Sequence, residues 1–307
     1  MKKDILTLSE LESSDFTLLL DRAAELKARH KNGILDRTLV GKSVGLIFDK
    51  PSTRTRISFE AAAIQLGATP IFISSGDTQM ARNEPVEDTA RVLSRYLDGI
   101  AFRTFSQDLI EQFAASSDIP VINALTDKYH PCQILSDLLT VIEHKGPCQR
   151  LNVAWIGDGN NMAHSWINAA AALGFTLSLA CPKEYEPDKN VLAKALEKNS
   201  AISVTTDPLE AARNTDVINT DVWASMGQED EQAQRQKVFE PYQVNSLLLE
   251  VADKDAIVMH CLPAHRGEEI TADVLDGPRS VVWDQAENKM HMHKAILDIL
   301  LSSPMAS

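Results

Sequence analysis

The segment at residues 49–56 (DKPSTRTR) has the side chains that a phosphate-binding site requires. Its hydroxyls and guanidinium groups come from Ser52, Thr53, Arg54, Thr55 and Arg56. Hydroxyls, guanidinium forks and the backbone N–H groups at the start of a helix all bind oxyanions. A capped helix with two arginines paired on its surface would use the same residue types. The concentration of donors in eight residues favours an anion site.

His130 and Gln133 are three residues apart at the start of another predicted helix. At that spacing both side chains can face the same ligand. A helix N-terminus favours the neutral imidazole, which can donate a hydrogen bond to a carbonyl oxygen. A histidine that caps its own helix fits the spacing equally well. Arg103, at the end of a predicted strand, is a further cationic candidate.

Residues 157–162 (GDGNNM) follow a predicted strand and open a helix, as a dinucleotide-binding turn does. However, Met162 replaces the third glycine of that fingerprint, and the next strand ends at residues 180–182 without an acidic residue for a ribose. A tight turn between strand and helix is therefore favoured over a dehydrogenase site.

Asp221, at another strand end, suits an ammonium group, and residues 225–227 offer backbone amides beside it. His260, Cys261 and His265 raise the question of a metal, but the spacing provides no third and fourth ligand of a standard site. We therefore expect no metal. Cys261 is also a candidate covalent nucleophile, but no protease-type signature surrounds it.

Other side chains of these segments are expected to be structural. Trp223 and Met226, taken singly, are typical packing residues. His291 and His293 lie on the predicted closing helix and are expected on its surface.

Short β-rich runs alternate with amphipathic stretches along the chain, which is the pattern of parallel βα units. The spacing predicts an α/β fold with two doubly wound parallel-sheet domains of similar size, joined by helices. The expected domains are residues 1–146 and 147–307, with a closing helix at about 286–303 packing back on the first. A last strand is expected at 280–283. Ligands of such sheets bind at the carboxyl ends of the strands, where the candidate residues fall.

The composition limits the class of protein. The chain has 307 residues, 44% of them hydrophobic, and a net charge of −13. This acidic balance argues against nucleic-acid binding, because phosphate backbones select basic surfaces. No apolar run approaches the ~18 residues of a membrane span, and the N-terminus lacks the apolar stretch of a signal peptide. Four scattered cysteines indicate neither disulfides nor a metal cluster, so we expect a cytoplasmic protein.

Five motifs together resemble the aspartate/ornithine carbamoyltransferase family, and the resemblance runs from about residue 5 to the C-terminus. In chain order they are residues 52–56 (STRTR), 102–104 (FRT), 130–133 (HPCQ), 221–227 (DVWASMG) and 260–263 (HCLP). The first and third motifs are shared across the family. The last two motifs resemble those of the ornithine branch of the family.

The resemblance implies transfer of the carbamoyl group of carbamoyl phosphate to the δ-amine of L-ornithine, without a cofactor. It implies a carbamoyl phosphate set of Ser52, Thr53, Arg54, Thr55, Gln79, Arg103, His130, Gln133, Cys261, Leu262 and Lys289. It implies an ornithine set of Asn161, Asp221, Ser225, Met226, Cys261 and Leu262. Within these sets, Arg54, Arg103, His130 and Cys261 are the expected catalytic residues.

The resemblance also implies a homotrimer in which Gln79 reaches a neighbouring subunit's site. Two departures from the family pattern concern this chain. Residues 80–84 (MARNE) differ from the usual loop after Gln79, and Lys289 stands where the family has arginine. Lysine keeps the positive charge but cannot make a bidentate contact.

Three alternatives stay open at this point. The first two are carbamoyltransferases of the same fold that use putrescine or N-acetylornithine as the amine. Asp221 and residues 225–227 favour a free amino acid over putrescine, which has no carboxylate. The third is a non-catalytic phosphate- or amino-acid-binding protein.

Overall fold

A computed structural model describes residues 3–74, 76, 78, 83–224 and 231–302. The chain divides into two compact units, Met1–Leu139 with Asn288–Ser307, and Thr140–Glu287. Two helices, Pro131–Lys145 and Val282–Leu301, run across these boundaries. The boundary at residue 146 proposed from the sequence falls just after the first of these helices.

The described part of the first unit contains a four-stranded parallel sheet. Its strands are β1 (Ser43–Phe48), β2 (Thr69–Ser74), β3 (Gly99–Arg103) and β4 (Val121–Leu125), in the order β2-β1-β3-β4. The helices that end or begin in this unit are α1 (Ser13–Lys31), α2 (Thr53–Gln65), α3 (Val86–Leu93), α4 (Gln107–Ser116) and α5 (Pro131–Lys145). Apolar side chains of β1, β3, α3 and α4 form one buried cluster of this unit.

Strand β1 pairs with β2 on one side and with β3 on the other. The connection from β1 leads to β2 on one side, and the connection from β2 returns to β3 on the other side of β1. In such a sheet a crevice forms between the loops that follow β1 and β3. The loop after β1 leads into α2, where the Ser52 hydroxyl accepts a hydrogen bond from the Thr55 N–H at 3.3 Å. At its other end α2 is followed by Gly67, whose φ of +88° is readily adopted only by glycine.

The second unit contains a five-stranded parallel sheet in the described residues. Its strands are β5 (Asn152–Ile156), β6 (Thr176–Ala180), β7 (Ile202–Thr205), β8 (Val217–Thr220) and β9 (Ile257–His260), in the order β7-β6-β5-β8-β9. Its helices are α6 (Asn161–Leu173), α7 (Lys189–Leu196), α8 (Pro208–Ala212), α9 (Gln232–Phe239), α10 (Ser246–Val251) and α11 (Ala272–Leu275). The chain runs from β5 through β6 to β7 on one side of the sheet and then returns to β8 on the other side of β5. The loops that follow β5 and β8 are therefore neighbours.

The structure confirms the predicted fold class of two doubly wound parallel sheets. The expected strand at residues 280–283 is wrong: Ser280 makes only an isolated bridge to Val258. The closing helix, α12 (Val282–Leu301), begins at Val282 instead of near residue 286. Within the described chain, no helix is both long enough and apolar enough to cross a bilayer.

The placement of two histidines of α12 on the surface is also wrong. His291 and His293 are both fully buried. The His291 ring faces His30 of α1, and the His293 ring stacks on Phe59 of α2. Polar side chains thus form part of the packed face of this helix.

Candidate active site

The candidate residues of the first unit begin at the N-terminus of α2. Thr55 is buried, whereas Thr53 and Arg54 are exposed in the single chain, and the Ser52 hydroxyl caps the helix. The first turn of any α-helix leaves its N–H groups directed outward without partners in the helix. Together with the partial positive charge of the helix end, these groups favour an anion at this position.

Arg103 lies beside this helix start because β3 is the neighbour of β1. Phe48 pairs with Arg103 in the sheet, and the Asp49 N–H donates to the Arg103 carbonyl at 2.8 Å. The Arg103 side chain is buried, with an exposed fraction of 4% for the residue. A buried guanidinium group at this edge of the sheet strengthens the anion site.

His130 and Gln133 reach the same edge through the loop between β4 and α5. They are 5% and 2% exposed. Burial lowers the pKa of His130 well below its usual value, and the positive charges of Lys289 and Arg103 lower it further. The imidazole is therefore neutral at physiological pH. This agrees with the expected protonation state, although burial rather than the helix N-terminus is the main cause.

Lys289 joins the group from α12. Its ammonium donates to the Gln133 Oε1 at 2.9 Å, and the Gln133 amide donates in turn to Asp137 Oδ1 at 2.8 Å. The structure thus brings Arg103, His130, Gln133 and Lys289 into one electrostatically coupled group of the first unit. Gln79 lies outside the described residues.

Lys50 is a further buried cation of this unit, and no motif in the sequence indicated it. Its buried ammonium contacts the Asp127 carboxylate and lies 4.0 Å from the centre of the Phe105 ring. These partners belong to the loops that follow β4 and β3. Lys50 therefore ties the loop before α2 to both neighbouring loops.

A second group of candidate residues, in the second unit, is centred on Asp221, directly after β8. Its Oδ1 accepts hydrogen bonds from the Val222 N–H at 2.8 Å and from the Cys261 thiol at 3.1 Å. Its Oδ2 accepts from the Asn160 amide at 3.2 Å. Asp221 is 9% exposed, so this carboxylate is nearly buried and held from three loops of the second unit.

Asn160 was not among the residues expected to bind ligand, but it sets the position of Asn161. Its Oδ1 caps α6 by accepting from the N–H groups of Met162 and Ala163, at 2.9 and 3.3 Å. Gly159 comes directly before it. A Cβ at Gly159 would lie 2.4 Å from the Pro187 nitrogen, so only glycine fits there. Asn161 consequently stands in the first position of α6, next to the loop that contacts Asp221.

Arg235 of α9 connects the loop that follows β5 to the loop that contains Asp221, and it was not among the residues predicted from the sequence. Its Nη1 donates to Asp158 Oδ2 at 2.9 Å and to the Trp223 carbonyl at 2.8 Å. The guanidinium also lies 4.8 Å from the Tyr185 ring centre. Arg235 is 5% exposed, and it fixes the spacing of the loops that follow β5 and β8.

The Asp158–Arg235 pair predicts a measurable pH dependence of stability. Burial raises the pKa of Asp158 from 3.8 to about 6, and the neighbouring Arg235 only partly offsets that effect. The folded state therefore holds this proton more tightly than the unfolded state. The contribution to stability is complete below pH 3.8 and is lost as the pH rises through about 6.

We expect Asp158→Asn to remove this dependence. Relative to the unmodified protein, the variant should gain about 2 kcal/mol of unfolding free energy between about pH 4.5 and about pH 6.5. Urea unfolding followed by tryptophan fluorescence measures the unfolding free energy of the second unit, to which Asp158 belongs. All four tryptophans of the chain lie in that unit: Trp155, Trp166, Trp223 and Trp283. A difference that stays constant across this range would contradict the raised pKa.

Cys261 and Leu262 follow β9 at the same edge of the sheet. Before them, His260 is fully buried, and both of its ring nitrogens are engaged: Nε2 with Glu269 Oε1 at 2.9 Å, and Nδ1 as acceptor from the Leu262 N–H at 2.9 Å. The donor atoms of Asp221, His260 and Cys261 lie within 4.8 Å of one another. A metal bound there would have to displace a hydrogen bond of His260, so His260 acts as a support for the loop.

The remaining residues expected to bind ornithine, Ser225 and Met226, lie outside the described residues. Trp223, before them, is 5% exposed and belongs to the buried apolar cluster of its unit, as expected for a packing residue.

The fold and the two groups of side chains define an α/β protein with a group of cationic and neutral polar side chains at the edge of one parallel sheet and a buried carboxylate at the edge of the other. Residues 3–143 match the family model "Aspartate/ornithine carbamoyltransferase, carbamoyl-P binding domain". Residues 149–300 match the model for the Asp/Orn binding domain of the same family. The chain belongs to the aspartate/ornithine carbamoyltransferase family.

Individual relatives are similar over their whole length. The chain is 59% identical to the ornithine carbamoyltransferase of Syntrophus aciditrophicus, covering 98% of this chain and 100% of the relative. Identity to that of Geobacter sulfurreducens is 55% with the same coverage. Among solved structures, the ornithine carbamoyltransferase of Pyrococcus furiosus superposes with a TM-score of 0.94 at 45% identity, covering 97% of this chain and 96% of that one.

Proposed function

We propose that the protein is an ornithine carbamoyltransferase that forms L-citrulline and phosphate from carbamoyl phosphate and L-ornithine. One observation carries the proposal: Arg103, His130, Gln133 and Lys289 form one group at the edge of the first sheet. Such a group can bind a doubly charged phosphate and polarise an adjacent carbonyl. Relatives with this name, similar over 98% of the chain, support the choice of acceptor.

In the proposed reaction the neutral δ-amine attacks the carbonyl carbon. A C–N bond forms, the C–O bond to phosphate breaks, and the proton that the amine loses passes to the departing phosphate. Negative charge develops on the carbonyl oxygen and on the departing phosphate. Arg54, Arg103 and Lys289 supply positive charge there, and the neutral His130 supplies a hydrogen-bond donor without a fixed charge. Ser52, Thr53, Thr55 and the partner subunit's Gln79 complete the phosphate contacts in this proposal.

The attacking amine must first lose its charge. An alkylammonium group has a pKa near ~10.4, so forming the free base near neutral pH costs roughly 4 kcal/mol. Nearby cations and removal from water both lower this pKa. In our proposal Cys261 and the Leu262 carbonyl orient the δ-amine and the carbamoyl group. Holding both substrates in place lowers the barrier further by replacing the entropy of association.

Ornithine also offers an α-ammonium group and a carboxylate. We assign the α-ammonium to Asp221, because both oxygens of its carboxylate act as hydrogen-bond acceptors. Asn161, Ser225 and Met226 are assigned to the remaining α-substituents. Putrescine keeps a second amine in this position but has no carboxylate, so the contacts to the carboxylate would be missing.

A colorimetric citrulline assay with purified protein tests the proposal. Ornithine, putrescine and N-acetylornithine are offered in parallel with carbamoyl phosphate. We expect product from ornithine and at least about a hundredfold less from the other two, because a site with buried polar groups rejects analogues that leave them unpaired. A preference for either alternative amine would overturn the acceptor assignment. No product from any amine would indicate a binding protein.

The lysine at position 289 gives a further prediction. Lys289 is 6% exposed, and its ammonium is hydrogen-bonded to Gln133. It therefore contributes a single localised positive charge to the proposed site. We expect Lys289→Arg to stay active, with kcat within about fivefold of the unmodified protein, and Lys289→Met to lose at least about tenfold. The citrulline assay at saturating substrates measures both. A folded but inactive Lys289→Arg would show that the charge is used differently here.

We also propose a homotrimer with the site completed at the subunit interface. Strand β2 is at the edge of its sheet, and large apolar side chains are exposed on β2 and α2. They are Ile57 (55%), Ile64 (62%), Ile71 (41%) and Phe72 (37%). Parallel strands are usually covered on both faces, so another copy of the chain is the proposed cover. Sedimentation equilibrium should give three times the 33.8 kDa chain mass, and a monomer would contradict the proposal.

For localisation we propose the cytoplasm, and for metabolic role arginine synthesis. Cys132, Cys148 and Cys181 are buried free thiols, and Cys261 is a partly exposed one. Free thiols persist in a reducing compartment, which supports the first proposal. The identity to curated ornithine carbamoyltransferases supports the second.

A further inference from the structure

The buried histidine at position 293 touches the phosphate-binding helix at two points. His293 Nδ1 lies 3.0 Å from the Ser58 hydroxyl oxygen. Its ring stacks on Phe59, with centroids 3.6 Å apart and an interplanar angle of 11°. Ser58 and Phe59 belong to α2, one turn beyond the first turn that contains Thr55. The contact is therefore close to the phosphate-binding end without being part of it.

The direction of the Ser58–His293 hydrogen bond follows from counting protons. The Ser58 hydroxyl donates its proton to the Thr55 carbonyl at 3.0 Å, so Ser58 Oγ must accept from His293 Nδ1–H. This leaves Nε2 as a bare lone pair, and Nε2 is indeed buried without a hydrogen-bond partner. A neutral ring suits this arrangement, since burial lowers the pKa of His293 well below its usual value. His293, Ser58 and Thr55 form a single chain of hydrogen bonds that ends in the first turn of α2.

The same helix also holds the start of α5. Lys289 precedes His293 by four residues on α12, so the two side chains emerge from one face of the helix. Lys289 donates to Gln133 in the first turn of α5. One face of α12 therefore fixes two helix starts: α5 through Lys289, and α2 through His293.

We propose that His293 is a positioning residue for phosphate binding, which fixes the rotation and axial position of α2 relative to Lys289 and His130. It acts through Ser58 and Phe59 and does not touch the substrate. The role rests on the proposed function, since it concerns the carbamoyl phosphate half of that site. Misplacing a binding group by about 1 Å can cost a hundredfold. A partial release of α2 should weaken phosphate binding about tenfold.

Three substitutions separate the hydrogen bond from the ring contact. His293→Phe keeps a stacked ring and loses the Nδ1 donor. His293→Asn keeps an N–H near the position of Nδ1 and loses the ring. Ser58→Ala removes the acceptor with a minimal change in volume, and it serves as the test should His293→Phe fail to fold. The matched control is His291→Phe, a buried histidine of the same helix whose ring faces His30 of α1.

The measurement is the dissociation constant of inorganic phosphate by titration calorimetry on the full-length protein. We expect His293→Phe and Ser58→Ala each to raise it about tenfold, the double variant to raise it no further, and His293→Asn to stay within about threefold of the unmodified protein. The KM for ornithine at saturating carbamoyl phosphate should change by less than about twofold in all of them.

Four results would overturn this role while phosphate binds the unmodified protein normally. They are unchanged binding in His293→Phe, additive effects of the two substitutions, loss of binding in His293→Asn equal to that in His293→Phe, and an equal loss in His291→Phe. Absence of phosphate binding by the unmodified protein, together with absence of citrulline formation, would instead overturn the proposed function and this role with it.

Discussion

Replacing Arg103 with alanine is expected to lower kcat for citrulline formation by at least about a hundredfold while the protein stays folded. Arg103 is 4% exposed and lies at the edge of the first sheet, where in the proposed reaction charge develops on the carbonyl oxygen and on phosphate. A donor placed in advance at such a position typically contributes about 2.7–4 kcal/mol to lowering the barrier. Arg54→Gly is expected to cause a loss of the same order.

Arg103→Ala should also change the titration of His130. The positive charge of Arg103 is one of the causes that lower the pKa of this imidazole, after burial and Lys289. Without it, the pKa of His130 should rise toward its usual value, which NMR of the histidine ring protons can follow. This shift would link the kinetic loss to electrostatics at the site rather than to a general change in structure.

A matched control for Arg103→Ala is Arg91→Ala. The Arg91 side chain belongs to α3 of the same unit, is 65% exposed and pairs with Asp88. Exposed pairs of this kind contribute little to stability. We expect Arg91→Ala to keep kcat within about twofold of the unmodified protein. A folded Arg103→Ala with a similarly small change would contradict the assignment, and circular dichroism establishes the folded state of both.

The ends of the strands could be predicted from the sequence because buried parallel strands are continuous apolar runs. The apolar run IAF ends at Arg103, and the apolar pair VI is followed by residues 219–221 (NTD), so each marks where a strand stops and where a polar side chain enters the edge of the sheet. Since ligands of such sheets bind at that edge, the positions of Arg103, His130 and Asp221 at strand ends could be predicted from the sequence.

The partners that hold these residues could not be predicted in the same way. Arg235 lies on α9, and its contacts with Asp158 and Trp223 join segments that are far apart in the sequence. Its only local signal is Glu231, four residues earlier, and that spacing is typical of any exposed helix. The contacts of Lys50 could not be predicted either, because its partners Asp127 and Phe105 are distant in the sequence and are brought to it only by the fold.

The closing helix shows where hydrophobic pattern alone misleads. The β-branched and aromatic run at residues 280–283 is typical of a strand, yet the chain makes one bridge at Ser280 and then turns into α12. His291 and His293 were expected outside because the pattern places only apolar residues in the core. His293 is instead buried with a hydrogen bond between Nδ1 and Ser58, and a buried polar group is tolerated when it has a partner. His291 is buried with its ring against that of His30.

On the acceptor side, Asp221→Asn is expected to lower kcat/KM for ornithine by at least about a hundredfold. Asp221 is 9% exposed and accepts hydrogen bonds from Asn160, Val222 and Cys261. Asparagine has nearly the same shape, but it removes the charge and places an N–H₂ group where the carboxylate faces only donors. Losing one partner of a buried charged pair typically costs about 2–5 kcal/mol. The α-ammonium of ornithine would be that partner.

The effect should be confined to the acceptor. Asp221 belongs to the second unit, so the dissociation constant for inorganic phosphate should stay within about twofold of the unmodified protein. Asp255→Asn is the control, because the Asp255 side chain is in the same unit and 73% exposed. If Asp221→Asn used ornithine normally, the α-ammonium would have to be held elsewhere. If it lost phosphate binding as well, the carboxylate would be supporting the whole protein rather than recognising the amino acid.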